Sequence, residues 1–522
     1  HRIFLIYYYS CFRNKKMEIN MIASNKKTFI VYLSLISAIL IILNIISRNV
    51  FDRWDLTDNK MYSLSKSSKS VVKKIDDRLT MKIYFSDNLP GEYGNNRRYL
   101  QDMLEEYAAF SKGKIYFEFF KTDDDEKMQE DAQKSGIQPV QLQVIENDNI
   151  EVKRVYMGMV FLYEDKRESI PLIQTTTGLE YEITTKIKML VNKNNATIAI
   201  AKSNSQTDIQ NESINQILNQ RYNVKNINID EPISEQISLI ILNGFEDSIT
   251  IDEKNNLDAF INKGGNLLIG QNRIKTDLST QQATPIESNI FDWLKSYGLD
   301  IEKNLVLDLN CGKVNVQQNL GFLRIPVPMD YPFLPIIKQN NFNDEIIMVS
   351  GLEGLRLMFP SEIIINDSPH KIFTLFTSSN QSTTMQEFFN LNPDPNANPA
   401  FSQLKENGKA LGVMTEINNN DIISNIILIS DSNFLSDQGG GAAQENHIFL
   451  MNAIDYLLGD RELIALRSRE ITSRPLAELN DSQKSTWKWI NILLPSSLII
   501  FFGFMRLRHE SNRSKLLREL YD

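Results

Sequence analysis

Two long apolar segments, one near each end of the chain, constrain the fold more than any other feature. Residues 28–47 (TFIVYLSLISAILIILNIIS) contain no charged side chain, and a helix of this length is about 30 Å long, enough to cross the hydrocarbon core of a bilayer. Residues 489–505 (WINILLPSSLIIFFGFM) form a second, shorter segment. Trp487 and Trp489 suit a membrane interface, and Pro495 would kink a helix without preventing it from spanning the membrane. We therefore predict transmembrane helices at 28–47 and 489–505.

The charges beside the two segments favour membrane spans over the alternative, buried core helices. Residues 1–28 contain six Lys or Arg and one acid, residues 506–522 contain five and three, and residues 29–505 carry a net charge of −16. Basic tails around an acidic middle are typical of a chain with both termini in the cytoplasm. The first apolar segment is longer than the core of a signal peptide and is followed by no small-residue cleavage site, so we expect an uncleaved anchor. Because the chain begins with His1, Met17 or Met21 is a candidate start.

Length and composition limit the fold class of the residues between the two predicted transmembrane helices. A chain of 522 residues is expected to form two to four domains. Its 22 Gly, 16 Pro and 2 Cys exclude collagen-like and disulfide-framework folds. A formal net charge of −9 argues against binding nucleic acid through its phosphates. We expect an acidic α/β body with no nucleic-acid partner.

Residues 51–192 have the element pattern of a thioredoxin-like domain. Strand-like and helical segments follow one another in the order β-α-β-α-β-β, the last two strands being GIQPVQLQVI and VYMGMVFLYEDKRESIPLI. The loop after the first strand (YFSDNLPGEYG) contains no CxxC, so thiol–disulfide exchange is excluded for this domain. Pro139 stands where such folds place a cis-proline, although an ordinary trans turn is the commoner interpretation.

Residues 196–460 show a second α/β pattern. Continuously apolar strands such as SLIILN and NLLIG alternate with amphipathic helices, which predicts a parallel sheet covered on both faces. The layout is similar to that of glutamine-amidotransferase-like and flavodoxin-like domains. Thr250 and Glu253 have capping-box spacing. The proline-rich stretch at about 310–400 is predicted to be a β-rich insertion.

The predicted organisation follows from these patterns. It comprises a cytoplasmic tail (1–27), the first transmembrane helix (28–47), the thioredoxin-like domain (51–192), the second α/β domain (196–460), a basic, helix-poor connector (461–488), the second transmembrane helix (489–505) and a cytoplasmic tail (506–522).

Polar residues follow two of the predicted parallel strands. Asn243 and Gly244 come after SLIILN, and Asp431 and Ser432 come after IILIS. Ligands of parallel α/β sheets bind at the carboxyl ends of the strands, so these four residues are candidates for a small-molecule or glycan crevice. The alternative, which we favour, is that they are turn residues and helix caps.

The sequence contains few signs of catalysis. The motifs GxxxxGK[ST], GxGxxG, GxSxG and HExxH are absent, and the four His are scattered, so we expect no nucleotide, metal or other cofactor. Where a glutamine amidotransferase has its nucleophilic Cys, this chain has Asn243-Gly244-Phe245. Cys311 follows another strand with no His nearby in sequence, and an inert thiol is expected there. We predict that the protein is not an enzyme.

Several motifs resemble those of a known family of transporter subunits. The segment after the first apolar stretch, RWDLTDNKMYSLSKSSKSVVKKI, is similar to the corresponding signature of GldG-like auxiliary subunits of gliding-motility-type ABC transporters. Further similar stretches follow in the family's order and extend the resemblance over most of residues 51–475: FINKGGNLLIG, YGLDIEKNLVLD, YPFLPII, NIILISDSNFLSD and ENHIFLMNAIDYLLGDRELIALRSREITSRPL.

The resemblance implies a noncatalytic accessory subunit, anchored in the bacterial inner membrane with its large domain in the periplasm. Its partners would be a separate ABC ATPase, a multi-span permease and the lipid bilayer, in a system for gliding motility or export. Two alternatives are a membrane-tethered receptor for a glycan or peptidoglycan fragment, and a hydrolase or amidotransferase-like enzyme acting through Cys311.

Overall fold

The structure, a computed structural model, describes most of the chain. The described residues are 26–49, 63–87, 89, 91–122, 125–146, 149–192, 196–202, 212–320, 323–437, 439–440, 443–470 and 481–521. The predicted tail up to residue 25, with Cys11, Met17 and Met21, and residues 53–62 of the family signature lie outside them. The chain divides into two compact units, residues 1–471 and 472–522.

Both apolar segments are helical. Helix α1 is Lys26–Asn49, and its described side chains at 29–42 are exposed. Helix α11 is Asp481–Tyr521, which begins before the predicted second span, runs through Pro495 and includes the predicted C-terminal tail. Residues 482–510 of α11 are long and apolar enough to cross a membrane, whereas the apolar stretch of α1 described with its side chains, Phe29–Ile42, is shorter.

A four-stranded mixed sheet forms the core of the N-terminal part. The strand order is β2-β1-β5-β6, with β1 parallel to β2 and antiparallel to β5. Strand β5 (MGMVFLY) is buried at six of its seven positions, as a central strand should be. The elements are α2 Lys66–Lys73, β1 Leu79–Phe85, α3 Gly91–Phe110, β2 Ile115–Phe120, α4 Glu126–Lys134, β5 Met157–Tyr163, β6 Lys166–Ile170 and α5 Leu179–Val191.

The last two strands predicted for this domain differ from the strands in the structure. GIQPVQLQVI contains all but the last residue of β3 (Val140–Glu146), which pairs with β4 (Asn149–Val155) in a separate hairpin. VYMGMVFLYEDKRESIPLI forms both remaining sheet strands, because the chain reverses at Glu164, which adopts a positive φ of 51°. Every peptide bond in the described residues is trans, so the trans interpretation of Pro139 is correct.

A seven-stranded sheet forms the centre of the second part. Its order is β19-β21-β22-β10-β9-β7-β8, and the five strands from β22 to β8 are parallel. The prediction of a parallel sheet thus holds for these five, and β21 and β19 add an antiparallel edge. The sheet strands are β7 Thr197–Lys202, β8 Asn223–Asn228, β9 Ile237–Asn243, β10 Asn266–Gly270, β19 Lys371–Thr377, β21 Ala410–Asn419 and β22 Ile422–Ile429.

Helices cover both faces of this sheet, as the apolar strands predict. Alternate residues of β9 enter two different cores, Leu239 on one face and Ile240 on the other. Helix α7 begins at Thr250 with the predicted capping box to Glu253. The helices are α6 Glu212–Asn219 and α9 Gln444–Leu457 on one face, and α7 Ile251–Asn262 and α8 Ile290–Ser296 on the other.

The β-rich insertion is present with different limits. The chain leaves the large sheet after Gly270 and returns at Lys371, and it leaves again between β19 and β21. The predicted 310–400 boundaries are therefore wrong, because β19 is a sheet strand and β11 to β14 already lie outside the sheet. The additional strands are β11 Ile274–Asp277, β12 Gln282–Pro285, β13 Leu299–Ile301, β14 Asn304–Asp308, β15 Cys311–Leu320, β16 Leu323–Lys338, β17 Gly354–Arg356, β18 Ile363–Ile365 and β20 Ser382–Gln386.

The predicted helix-poor connector begins with a helix. Residues Arg461–Glu470 form α10, and Leu463, Ile464, Leu466 and Arg467 are buried. Positions three or four residues apart lie on one face of a helix, so these side chains pack together against the body. The prediction is therefore wrong for residues 461–470, which belong to the packed body of the protein.

Candidate functional site

The structure brings the four predicted crevice residues together at the carboxyl ends of the parallel strands. Asn243 ends β9, and its amide Nδ2 donates to the carbonyl oxygen of Ser432 at 2.8 Å. The Gly244 backbone N–H donates to the carbonyl oxygen of Gly270, the last residue of β10, at 2.9 Å. Asp431 follows β22 after one residue. These residues, with Gly270, form what we call the strand-end cluster.

Asp431 is the buried centre of the strand-end cluster. Its carboxylate accepts the backbone N–H of Met358 and that of Asn433, each at 2.7 Å, and so caps the short 3₁₀ helix Ser432–Leu435. Complete burial raises the pKa of this carboxyl group to about 7, although the backbone donors oppose the shift. Asp431 thus has the geometry of a helix cap, and ligand binding at these residues stays a prediction.

Gly270 allows the strand ends to approach this closely. A Cβ atom there would lie 2.4 Å from Asn243 Oδ1 and 2.9 Å from the carbonyl oxygen of Asp431. Asn243 Oδ1 is buried and has no hydrogen-bond partner among the described residues. The strand-end cluster is closely packed and leaves no room for even a methyl group between its members.

A second polar group, which the sequence did not predict, surrounds Asp455 on α9. Its carboxylate interacts with Arg221 Nη2 at 2.7 Å and Arg467 Nη2 at 2.8 Å, and it accepts the Tyr222 hydroxyl at 2.6 Å. The side chain of Asp455 is 1% exposed, and those of Arg221 and Arg467 are 9% and 7% exposed. With Tyr181, these residues form what we call the Asp455 cluster.

The Asp455 cluster joins the N-terminal part to the second part of the body. The hydroxyl of Tyr181, on α5, accepts hydrogen bonds from Arg467 Nη2 at 2.7 Å and Arg221 Nη1 at 3.2 Å. Burial lowers the pKa of the Arg221 guanidinium, but Asp455 and the other neighbours raise it by more. Buried charges of this kind are tolerated only when paired and hydrogen-bonded, so the cluster fixes how α5, α9 and α10 pack.

Ion pairs extend the cluster to α2. Lys188 of α5 contacts Asp460 at 2.5 Å and Glu462 at 3.8 Å. Glu462 of α10 in turn accepts the Ser70 hydroxyl at 2.6 Å and Lys74 Nζ at 3.1 Å. Among the described residues, the first helix after α1 and the last helix before α11 are therefore in direct contact.

The surroundings of the candidate nucleophile, Cys311, disfavour the ionised form of its thiol. Cys311, on β15, is half-buried, and burial, followed by the negative charge of Asp330, raises the pKa of its thiol to about 11. A thiol of this kind is almost entirely protonated at neutral pH and is a poor nucleophile. The imidazole of His370 stacks on Tyr297, with ring centroids 6.0 Å apart. Across the described ranges, no group of three or more His, Cys, Asp or Glu side chains is arranged to hold a metal ion.

Comparison with known proteins places this mixed α/β chain among components of ABC-type transport systems. The chain belongs to the family described as "ABC-type uncharacterized transport system", whose model matches residues 188–458. This confirms the resemblance to auxiliary transporter subunits. Residues 58–162 match a domain of unknown function, DUF7088.

One curated relative spans almost the whole chain. An uncharacterized protein of Borreliella burgdorferi is 24% identical over 509 residues, covering 92% of this chain and 98% of the relative. The family supports a noncatalytic auxiliary component, and the family together with the long apolar helix α11 supports an association with a membrane.

Similarity to solved structures is low. The mmIFT52 N-terminal domain is 15% identical with a TM-score of 0.34, covering 50% of this chain and 97% of that one. A putative ThuA-like protein from Bacteroides uniformis is 10% identical with a TM-score of 0.30, covering 51% of this chain and 93% of that one. Neither similarity indicates a function for this chain.

Proposed function

We propose that this protein is a noncatalytic accessory subunit of an ABC transporter of the gliding-motility or export type. In this proposal α1 and α11 anchor it in the bacterial inner membrane, both termini are cytoplasmic, and the body lies in the periplasm. The subunit acts with a separate ATPase and a multi-span permease. The family match supports the transporter assignment.

The observation that carries the proposed two-point anchoring is the contact between α2 and α10. Sixteen residues separate the end of α1 from the start of α2, and ten separate the end of α10 from the start of α11. Ser70 of α2 and Lys74, the residue that follows α2, bind the carboxylate of Glu462 on α10. This contact supports the proposal that both anchors approach the body from the same side.

The proposed domain organisation follows the two large sheets. The order β2-β1-β5-β6 and its mixed strand directions support a thioredoxin-like domain at 51–192. The parallel order β8-β7-β9-β10-β22, which is 2-1-3-4-5 along the chain, supports a flavodoxin-like or glutamine-amidotransferase-like domain at 196–460. Such a fold does not require the activity of its enzymatic members.

A noncatalytic role is supported by the state of the residues from which catalysis would be expected. In the strand-end cluster, Asn243 Nδ2 and the carboxylate of Asp431 are engaged in hydrogen bonds to backbone groups, and the thiol of Cys311 has a raised pKa. A body held by two helices has a high effective concentration at a neighbouring membrane protein, so anchoring itself favours a stable complex.

Co-purification tests the proposal. The tagged full-length chain is extracted from its native membrane in a mild detergent, and its partners are identified by mass spectrometry. We expect an ABC ATPase and a permease in constant ratio to the chain. Ile499→Arg places a charge at an exposed position in the apolar part of α11 and should reduce the recovery of both partners. The control variant, Lys254→Arg on the body, should leave the recovery unchanged. Recovery of the chain without either transporter component would refute the proposal.

A further inference from the structure

The hairpin formed by β15 and β16 has an edge that no other described strand covers. β15 is the outer strand of the three-stranded sheet β15-β16-β17, and β17 pairs only with the far end of β16, at Ile336–Lys338. We call residues 313–317 of β15 and 325–330 of β16 the arm. A two-stranded hairpin is marginally stable by itself, and an unpaired edge presents backbone donors and acceptors to which another strand can add.

Proline residues block one edge of the arm and leave the other open. Pro326 lies opposite Gln317, and Pro328 lies opposite Asn315. Because proline has no N–H, both are non-hydrogen-bonded pairs, in which the backbone groups of each residue point away from the opposite strand. The outer edge of β16 therefore lacks two donors, which disfavours pairing there. On β15 the outward N–H and C=O groups of Asn315 and Gln317 are intact.

The open edge has few of the features that prevent strands from associating. Such features are prolines, charged side chains and bulges. Residues 312–320 contain no proline and no acidic residue, and Lys313 carries their one charge. The irregularity in the pairing of β15 lies between Cys311 and Lys313, at the base of the arm. Because the strand is nearly uncharged, electrostatic repulsion does not prevent a second copy of it from approaching.

One face of the arm is apolar. Directly opposite residues share a face of a sheet, so Val314 lies beside Met329 and Val316 beside Val327. These four side chains are half-buried, and Ile325, further along the same face, is 42% exposed. The opposite face is polar or proline-bearing, and its exposed residues are Lys313, Asn315, Gln317, Pro326, Pro328 and Asp330.

The sequence of β15 is complementary to a second copy of itself. In an antiparallel pair centred on Asn315, the two copies of this residue lie opposite each other, Val314 lies opposite Val316, and Lys313 lies opposite Gln317. The outward backbone groups of Asn315 make it a hydrogen-bonded pair, so the two Val–Val pairs are the closer, non-hydrogen-bonded pairs. Pairs of β-branched side chains at such positions stabilise a sheet, and no like charges meet.

We propose that the arm pairs with the arm of a second copy of this chain, β15 against β15, with a two-fold axis at Asn315. The result is a four-stranded antiparallel sheet in the order β16-β15-β15-β16, with both apolar faces on one side. Such an interface uses the same surface of both copies, so it closes as a dimer, and only the proline-bearing β16 strands remain at its edges. The dimer does not depend on the transporter assignment proposed above.

Disulfide cross-linking of the full chain in its native membrane tests the dimer. Both native cysteines are first replaced by serine, and a chain with Asn315→Cys is oxidised with copper phenanthroline. The two Cα atoms at this position would lie about 5.5 Å apart, which is within the range of a disulfide. We expect a band at twice the 60.1 kDa mass of the chain, with two copies of the β15 peptide joined by the disulfide.

Asp330→Cys, exposed on β16 of the same arm, is the matched control. Three strand spacings would separate its two copies, a distance of at least about 14 Å, so it should not cross-link. Equal cross-linking at both positions would overturn the proposal, as would the absence of a dimer band for Asn315→Cys. Cross-linking of Asn315→Cys to a different protein would show that another partner adds to β15, and would also overturn it.

A proline on β15 should separate the two copies while the arm itself stays paired, because the N–H of Asn315 points away from β16. The reporter chain carries Lys313→Cys and Gln317→Cys, which face each other across the proposed interface and lie about 13 Å apart within one chain. Adding Asn315→Pro removes the two central hydrogen bonds between the copies and should lower disulfide formation about tenfold or more. Adding Asn315→Thr keeps the N–H and should leave it unchanged. Equal cross-linking of these two variants would overturn pairing through β15.

Discussion

Arg467 Nη2 lies 2.8 Å from Asp455 Oδ2, and both side chains are almost completely buried. Arg467 belongs to α10, the last described helix before the apolar α11, and Asp455 belongs to α9, which covers the large sheet. The same guanidinium group also binds Tyr181 of the N-terminal part. A force applied to the chain at α10 would therefore act directly on the contact between the two parts of the body.

Removing the carboxylate of Asp455 should destabilise the folded protein. Asp455→Leu removes the carboxylate that two buried guanidinium groups share, and we expect it to lower the free energy of unfolding by about 3–5 kcal/mol. Urea unfolding of the full chain in mild detergent measures the change. Glu235→Gln, which breaks the exposed pair with Lys263, is the control and should leave the unfolding midpoint unchanged. A midpoint for Asp455→Leu equal to that of the control would contradict the structural role of the cluster.

Gly270 should tolerate no side chain. In Gly270→Ala the new Cβ meets Asn243 Oδ1 and the carbonyl oxygen of Asp431, so we expect a loss of about 1–3 kcal/mol in the free energy of unfolding. Gly94→Ala on α3 meets no atom within 4 Å and should stabilise the helix by about 0.5–1 kcal/mol. Urea unfolding of the two variants under the same conditions compares them directly. A Gly270→Ala protein as stable as the wild type would show that the strand ends are not closely packed.

Stability should depend on pH through Asp431. The pKa of its carboxyl group is about 7 in the folded protein, against 3.8 for an unperturbed group. Between pH 3.8 and about pH 7 the folded state holds a proton that the unfolded state has released. The contribution of this carboxyl group to the free energy of unfolding is therefore complete below about pH 4 and is lost as the pH rises through 7. Its size is on the order of 4 kcal/mol.

The pH dependence is measured by urea unfolding from pH 5 to pH 8. In Asp431→Asn the part of the slope due to this group should disappear, whereas the exposed Asp421→Asn should retain the wild-type slope. Parallel slopes for the wild type and Asp431→Asn would mean that Asp431 is ionised in the folded protein throughout this range.

The thiol of Cys311 should react slowly. With a pKa of about 11, only about one thiol in a thousand is ionised at pH 8. In a Cys11→Ser background, we expect alkylation by iodoacetamide, followed by mass spectrometry, to accelerate with pH up to about 11. Rapid alkylation at pH 7 would reopen the interpretation of Cys311 as a nucleophile.

The sequence predicted the features that depend on local periodicity. Both apolar helices, the capping box at Thr250 and the parallel strands ending at Asn243 and Gly270 follow from patterns within short segments. The convergence of Asn243 and Asp431 was also predictable, because the carboxyl ends of parallel strands share one edge of a sheet, although β10 lies between β9 and β22.

The Asp455 cluster could not be predicted, because its members come from three parts of the sequence: α5, the residues after α6, and the successive helices α9 and α10. Tyr181, Arg221, Asp455 and Arg467 meet only when α5, α9 and α10 pack together. One local signal was available: Asp455 and Arg467 each interrupt the buried face of a helix. Likewise, the division of 155–173 into two strands depended on a left-handed turn at Glu164, a position where no glycine marked the reversal.

The central claim, a periplasmic body between two cytoplasmic tails, is tested most directly by labelling single cysteines in spheroplasts with a membrane-impermeant maleimide. Both native cysteines are first replaced by serine, and Lys254→Cys then marks the body while Asn25→Cys and Asn512→Cys mark the tails. We expect Lys254→Cys to be labelled in intact spheroplasts, and the two tail positions only after lysis. Labelling of the body only after lysis, or of either tail before it, would contradict the account.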